Sequence, residues 1–286
     1  MVRPSGIILS IILSGLLVGA APTGHPAPEL SARLISLTRT IRIPVKTLSG
    51  TDGPAAAQNA DPATLMIAPG AADERPEGPD GFDVLDDGSF LVTDPIRNRI
   101  AVFDSQGKFR LAWKIGFAAD SVTALANGLT LVREARTGQS HVFSREGRAL
   151  PSEHPVLPEP PVARILDDNR GIVNRPAIGN SQGGSLAIQF DRPGSALVSL
   201  EVLATDSGGN TYVALESTTG SREADEINVN KYVRKYAADG KLVDEIADIA
   251  LDYYVTPVDE LRVHRGIVYQ LLTTNTEVRI NVWDMK

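Results

Sequence analysis

The stretch that decides the fold runs from Gly78 to Phe109, GPDGFDVLDDGSFLVTDPIRNRIAVFDSQGKF. It holds three short apolar runs, Phe82 to Leu85, Phe90 to Thr93 and Ile100 to Phe103, each bounded by polar residues. Asp86-Asp87-Gly88 separates the first two, and Asp104-Ser105-Gln106-Gly107 follows the third. Apolar runs of this length joined by Gly-containing turns are hairpin signals, and in series they form an antiparallel meander. A helix needs a longer segment of 3.6-residue periodicity, which this region lacks.

Outward from this segment the same unit recurs. A turn followed by a β-branched or aromatic strand stands at Asn127-Gly128 (LTLVRE), Asp168-Asn169 (GIVN), Gly208-Gly209-Asn210 (TYVALE) and Arg265-Gly266 (IVYQLL). Counted from Gly88, the first three intervals are near 40 residues, and the last is stretched by the polar insertion Ser217 to Asn228. A second turn follows in several units, in AVFDSQGK at 101–108, HVFSREGR at 141–148 and YVRKYAADGK at 232–241. A period of 40 to 50 residues made only of short strands predicts a β-propeller, because one four-stranded blade cannot bury its own faces and needs its neighbours. A β-sandwich also has short strands at regular spacing, but it has no reason to repeat at this interval. The expected fold is all-β, a propeller of five or six four-stranded blades over residues 76–286. The last unit offers only LRVH, IVYQLL and VRINVW, so the alternating segment Ile41 to Val45 is expected to add the missing strand and cover the open edge.

The Gly78–Phe109 segment resembles an NHL repeat. It has the Gly-Pro-x-Gly entry, the Asp-Gly turn, a strand ending in Thr-Asp, then Asn-x-Arg-Ile in the variant Asn98-Arg99-Ile100, an aromatic, and Asp-x-x-Gly-Lys. The resemblance covers about 32 residues and implies a propeller of the NHL type. It carries no function, since propellers of this kind act as binding platforms, lyases and hydrolase-like proteins. Within it, Asp94, Asn98 and Arg99 read as a staple internal to one blade, the carboxylate accepting from the guanidinium and from turn amides.

The amino-terminal 20 residues have the layout of an export signal: Arg3, an apolar run from Ile7 to Val18, and the small residues Val18-Gly19-Ala20. The run is shorter than a membrane span, which takes about 18 apolar residues or more. The mature chain is therefore expected in a periplasm or secreted. Residues 21–75 read as an arm and linker with one or two strands. A chain with no Cys excludes a disulfide scaffold, a thiolate metal site and a cysteine nucleophile.

The whole chain carries 28 basic and 35 acidic residues, and losing Arg3 with the signal leaves a formal charge of −8. Such a chain is repelled by phosphate backbones and anionic membranes. The densest basic segments, Arg97 to Arg99 and Lys231 to Lys235, read as solvated surface. The acidic segments Glu223 to Glu226 and Asp244 to Asp252 read as exposed loops or blade edges. Neither nucleic acid nor a membrane is an expected partner.

Three constellations bear on chemistry. Gly179-Asn180-Ser181-Gln182-Gly183 matches the G-x-S-x-G pattern, but the following SLAIQF reads as a strand, so a Gly-rich hairpin turn accounts for it without catalysis. The four histidines, His25, His141, His154 and His264, have no zinc-binding spacing. Asp83, Asp206, Glu216 and Asp259 each lie near an inferred inner strand and are the candidate ligands of Ca²⁺ or another divalent cation in a central channel. Two functions stay open. One is an exported, non-catalytic binding module that takes a protein or glycan through rim loops such as 217–228. The other is a metal-dependent lactonase- or esterase-like hydrolase.

Overall fold

The computed structural model describes residues 32–49, 54–71, 73–125, 127–151, 161–175, 183–220 and 227–286. The export signal, His25, His154, the Gly179–Gln182 turn and residues 221–226 of the polar insertion lie outside the described residues.

Taken in chain order, β1 (Arg33–Leu34), β2 (Arg39–Thr47) and β3 (Leu65–Ile67) come first, with a short helix α1 (Pro54–Gln58) between the last two. Sheet 1 follows as β4 (Phe82–Val84), β5 (Phe90–Asp94), β6 (Arg99–Phe103) and β7 (Phe109–Lys114), paired in that order. Sheet 2 is β8 (Ala119–Ala124), β9 (Thr130–Glu134) and β10 (Ser140–Phe143), and sheet 3 is β11 (Ala163–Asp167), β12 (Arg170–Arg175) and β13 (Gly184–Gln189). Sheet 4 is built from β14 (Ser195–Thr205), β15 (Thr211–Thr219), β16 (Asn228–Tyr236) and β17 (Leu242–Ile246). Sheet 5 is built from β18 (Leu261–His264), β19 (Ile267–Thr273) and β20 (Glu277–Asp284).

Each recurring turn of the sequence falls between the first and second strand of a sheet. The first strands also meet one another: β4 touches β8 and β18, and β14 touches β18 and β11. Small antiparallel meanders whose leading strands gather together are the arrangement of a β-propeller.

Alternation explains why the sheets need each other. On β5, Phe90 and Val92 enter the apolar cluster shared with sheet 5, whereas Leu91 between them enters the cluster shared with sheet 2. Both faces of the sheet are therefore buried, and the strand reads as a continuous apolar run rather than an alternating one. Further clusters join sheets 3 and 4 through Phe190 and Leu215, and sheets 4 and 5 through Tyr212 and Trp283. Burial of each such side chain stabilises the fold by about 1.5–3 kcal/mol.

The N-terminal arm is more structured than its composition suggests. β2 pairs antiparallel with β20, Ile41 opposite Ile280, and so takes the fourth place in sheet 5. β3 extends that sheet in parallel beyond β2, and β1 adds in parallel to β17 at the edge of sheet 4. Arg33 Nε donates to the buried Asp244 Oδ1 at 2.7 Å and anchors β1 there. Gly107, at φ 81° in the sheet 1 turn, sits so close to β2 that a Cβ would approach Ile41 Cγ2 to 2.7 Å.

Sheets 2 and 3 depart from the four-stranded expectation. Each has three strands among the described residues. In place of a fourth strand, sheet 2 has a single bridge between Phe143 and Ala149. The polar insertion also differs from a loop projecting over 217–228, since β15 runs on through Thr219 and β16 begins at Asn228.

Parts of the charged segments are buried, while Asp248 and Asp252 are exposed and Glu223 to Glu226 lie outside the described residues. Arg97, Arg99 and Arg234 are buried, as are Asp244 and Glu245. Arg234 Nε donates to Glu245 Oε2 at 2.6 Å, Arg192 binds the other oxygen of Glu245, and Lys235 Nζ stands 3.8 Å from Asp244 Oδ2. Cross-strand pairing places these opposite charges side by side, Arg234 opposite Glu245 and Lys235 opposite Asp244. Composition alone could not show that a cation and its anion had been paired before either met water.

Candidate functional site

The motif residues Asp94, Asn98 and Arg99 fall together at the end of sheet 1. The wholly buried Asp94 accepts on Oδ2 from Arg97 Nε at 2.9 Å and from Arg99 Nε at 2.8 Å. Asn98 acts through its backbone, taking φ 48° and ψ 52° to end the 3₁₀ turn Pro95–Arg97 while its N–H binds Pro95 O. The arginines then reach beyond the sheet. Arg97 Nη1 donates to Asp61 O at 3.2 Å, and Arg99 Nη2 donates to Pro62 O at 2.9 Å and Thr64 O at 3.1 Å. The cluster therefore ties the linker to sheet 1 and does more than bind one sheet to itself. The sequence reading overlooked Arg97, whose spacing of three from Asp94 across a tight turn was the available signal. Burial draws its guanidinium below the usual range, opposed by Asp94.

The four candidate metal ligands do not share one site. Asp206 closes the turn between β14 and β15, accepting on Oδ1 from the Gly208 and Asn210 amides at 2.9 and 3.0 Å. Asp83 accepts from the Val84 amide on Oδ1 at 2.8 Å and from the Ala124 amide on Oδ2 at 2.7 Å. Asp259 Oδ1 pairs with Arg262 Nη2 at 2.7 Å, and Arg262 Nε lies 3.7 Å from Asp83. Glu216 pairs with Lys231 at 2.6 Å. Among the described residues no group of three or more His, Asp or Glu side chains is arranged to hold a metal ion.

Glu216 and Asp259 instead line a mouth of about 280 Å³ between sheets 4 and 5, together with Ser199, Glu201, Lys231, Tyr253, Glu260 and Arg262. Strand register builds it. Glu216 stands opposite Lys231, and Glu201 opposite Ala214, on the face of sheet 4 that turns apolar deeper down at Ala214 and Val233. Lys231 is held between Glu216 and Glu260, and Gln270 Nε2 donates to Glu260 at 2.9 Å. Burial lowers the Lys231 pKa, but the hydrogen bonds to Glu216 and Glu260 outweigh it and the ammonium ends above its usual range. It stays charged and is no nucleophile. Desolvation raises the Glu201 carboxyl, against the pull of Arg262 and Lys231. Asp259 Oδ2 is buried with no hydrogen-bond partner. Behind the mouth, burial pushes Asp80 up to about 8, opposed by its hydrogen bond from Thr93 and reinforced by Asp120. The mouth thus holds its cations in ion pairs and leaves carboxylate oxygen free to accept. Sequence reasoning missed Glu201 and Lys231. The signal for Lys231 was that two strands flank the insertion, and their antiparallel pairing sets Lys231 opposite Glu216.

Of the remaining histidines, His141 stacks on Phe117 with centroids 4.6 Å apart, and His264 ends β18 at 3.8 Å from Asp86 Oδ1. The strand β13 directly follows Gly183, where a nucleophile elbow would need a helix.

No family model matches the sequence, and no curated protein is found to be similar to it. Among solved structures, a catalytically inactive virginiamycin B lyase from Staphylococcus aureus with quinupristin is similar at 14% identity and a TM-score of 0.31, over 73% of this chain and 85% of that one. The calcium-binding protein regucalcin from Agrobacterium tumefaciens is similar at 8% identity and a TM-score of 0.29, over 71% and 90% of the two chains. BamB from Moraxella catarrhalis is similar at 8% identity and a TM-score of 0.27, over 88% and 98%. Likeness at that level carries no argument about this chain, whose fold rests on its own sheets.

Proposed function

We propose that the chain is an exported β-propeller that acts as a non-catalytic binding module, taking a protein or glycan partner at the mouth between sheets 4 and 5. The observation that carries this reading is the mouth's hydrogen-bond balance. Lys231 and Arg262 are bound to carboxylates of the same mouth, whereas Asp259 Oδ2 has no partner. Such a surface takes hydroxyl or amine donors, which saccharides and basic peptides carry. Export rests on the layout of the first 20 residues. Among the described residues no helix is long and apolar enough to cross a membrane.

The test is a binding screen of the mature chain against immobilised oligosaccharides and lysine-rich peptides, repeated with Glu201→Gln and with 221–226 deleted. Retention of one class that falls about tenfold in Glu201→Gln supports the module. The other reading, a divalent-metal hydrolase, requires lactone or ester turnover that EDTA abolishes and Ca²⁺ restores. That result would overturn the non-catalytic proposal.

A further inference from the structure

At the other end of β18 lies a larger hollow. A groove of about 650 Å³ runs between sheets 1 and 2, with Val263 and His264 of sheet 5 at its side. Its size falls within the range of small-molecule sites, roughly 300–1,000 Å³. About half of the wall is apolar, with Leu91, Val102, Leu111, Trp113 and Leu129 in it, and Leu111 is 48% exposed.

The polar groups of this groove divide by type. Its carboxylates are engaged: Asp83 by two backbone amides, Asp86 by Arg265 at 3.0 Å, and Asp87 by the Ser89 amide at 3.0 Å and Arg110 at 2.9 Å. Of its nitrogens, those of Arg110 are spent on Asp87 and Ser89, and three other side chains keep theirs unbonded. Trp113 is 9% exposed and its Nε1 has no hydrogen-bond partner. His264 Nε2 is likewise buried without one. Arg145 lines the groove and is exposed, and no hydrogen bond or ion pair engages it among the described residues. Indole N–H and guanidinium can only donate. A buried donor with no acceptor costs about 1–3 kcal/mol, which an incoming acceptor recovers.

From the juxtaposition of an apolar wall with uncommitted donors we infer that this groove binds a small organic acid anion, its aliphatic or aromatic body against Leu111 and Trp113 and its carboxylate toward Arg145 and the indole N–H. The inference rests on the chain being a binding module but uses a different site from the mouth. An amine is disfavoured at the indole, whose N–H can only donate. An uncharged alcohol would gain the apolar contact without the charge-assisted bond.

Sodium octanoate, 1-octanol and octylamine serve as probes, followed by titration calorimetry and tryptophan fluorescence. Of the chain's two tryptophans, Trp283 is buried and bonded to Asp248, so a spectral change that Trp113→Phe abolishes reports the groove. Saturable octanoate binding, at least about tenfold tighter than octanol and weakened about tenfold by Arg145→Ala, is the expected result. Arg145 is exposed, so its replacement leaves the fold intact. Absence of octanoate binding, equal binding of octanol, or binding indifferent to both Arg145→Ala and Leu111→Asp would overturn the inference. Glu201→Gln is expected to bind octanoate normally. Loss of octanoate binding with partner retention at the mouth therefore defeats this inference alone, whereas loss of both defeats the module as well.

Discussion

The two ends of β18 solve the same problem in opposite ways. At Leu261 and Arg262 the space between sheets 4 and 5 is lined by ion pairs, with carboxylate oxygen left free. At Val263 and His264 the space beside sheets 1 and 2 is lined by side chains of a core that has opened slightly, and nitrogen is left free. Consecutive pairs of residues in one four-residue strand line an electrostatic mouth and a packed groove. The inter-sheet clusters are apolar in their middle and need water or charge only where the sheets splay, so each end can be specialised without disturbing the other.

Four measurements would break or sharpen this contrast. The largest effect is expected at Asp80, behind the mouth. Its folded pKa, about 8, lies above the ordinary 3.8, so the folded state holds a proton that the unfolded state has released between those pH values. Stability is then lost progressively as pH rises from about 4 to 8, by on the order of 5–6 kcal/mol at ~1.4 kcal/mol per unit. Asp80→Asn keeps an acceptor for Thr93 and should flatten that slope, matching the parent near pH 4 and exceeding it at pH 8. Urea midpoints across this range decide it, and an unchanged slope would show that Asp80 is not the group whose buried proton sets it.

Next, Lys231→Met strands Glu216 and Glu260, and the loss should be about 3 kcal/mol by the behaviour of broken buried pairs. A Tm within a degree of the parent would show that the mouth is not held by its charges. At the groove, Gly147 stands at φ 80° with a would-be Cβ only 2.2 Å from Trp113 Cγ. Gly147→Ala should cost about 1–3 kcal/mol through displacement of the ring, and near-ultraviolet circular dichroism of the tryptophan band should change with it. The smallest effect belongs to Glu201→Gln, which touches no ion pair and should move stability by less than about 0.5 kcal/mol in thermal unfolding. A larger change would mean that Glu201 helps to hold the fold and is not free for a partner.

What could be foreseen from the chain followed from how local its cause was. Turns at Gly88, Gly128, Asp168, Gly209 and Gly266 depend on the residues that form them, and each lies where its sheet turns back from first strand to second. Alternation in Ile41 to Val45 likewise pointed to a strand, and that strand lies against β20. The three-stranded sheets and the added strands β1 and β3 were not legible, because two- and three-residue pairings such as Arg33 opposite Asp244 depend on a partner more than 200 residues away. The functional groups were harder still. Glu201, Lys231 and Asp259 meet only when sheets 4 and 5 pack, and Trp113, Arg145 and His264 come from three sheets. Composition placed charge on the surface, yet burial of Arg234 with Glu245 hides much of it.

The pairing of β2 with β20 has a consequence in time. Thr40 donates to Asn281 across 241 residues of sequence, so sheet 5 joins two strands that are made far apart in time. Contacts of such separation form slowly, since the entropy of closing the intervening chain must be overcome first. Until Val278 to Val282 emerge, β2 has no antiparallel partner, and any chain cut short before them leaves it as an open edge. Closure of sheet 5 thus waits on β20, and β2 stays unlocked until that strand has been made.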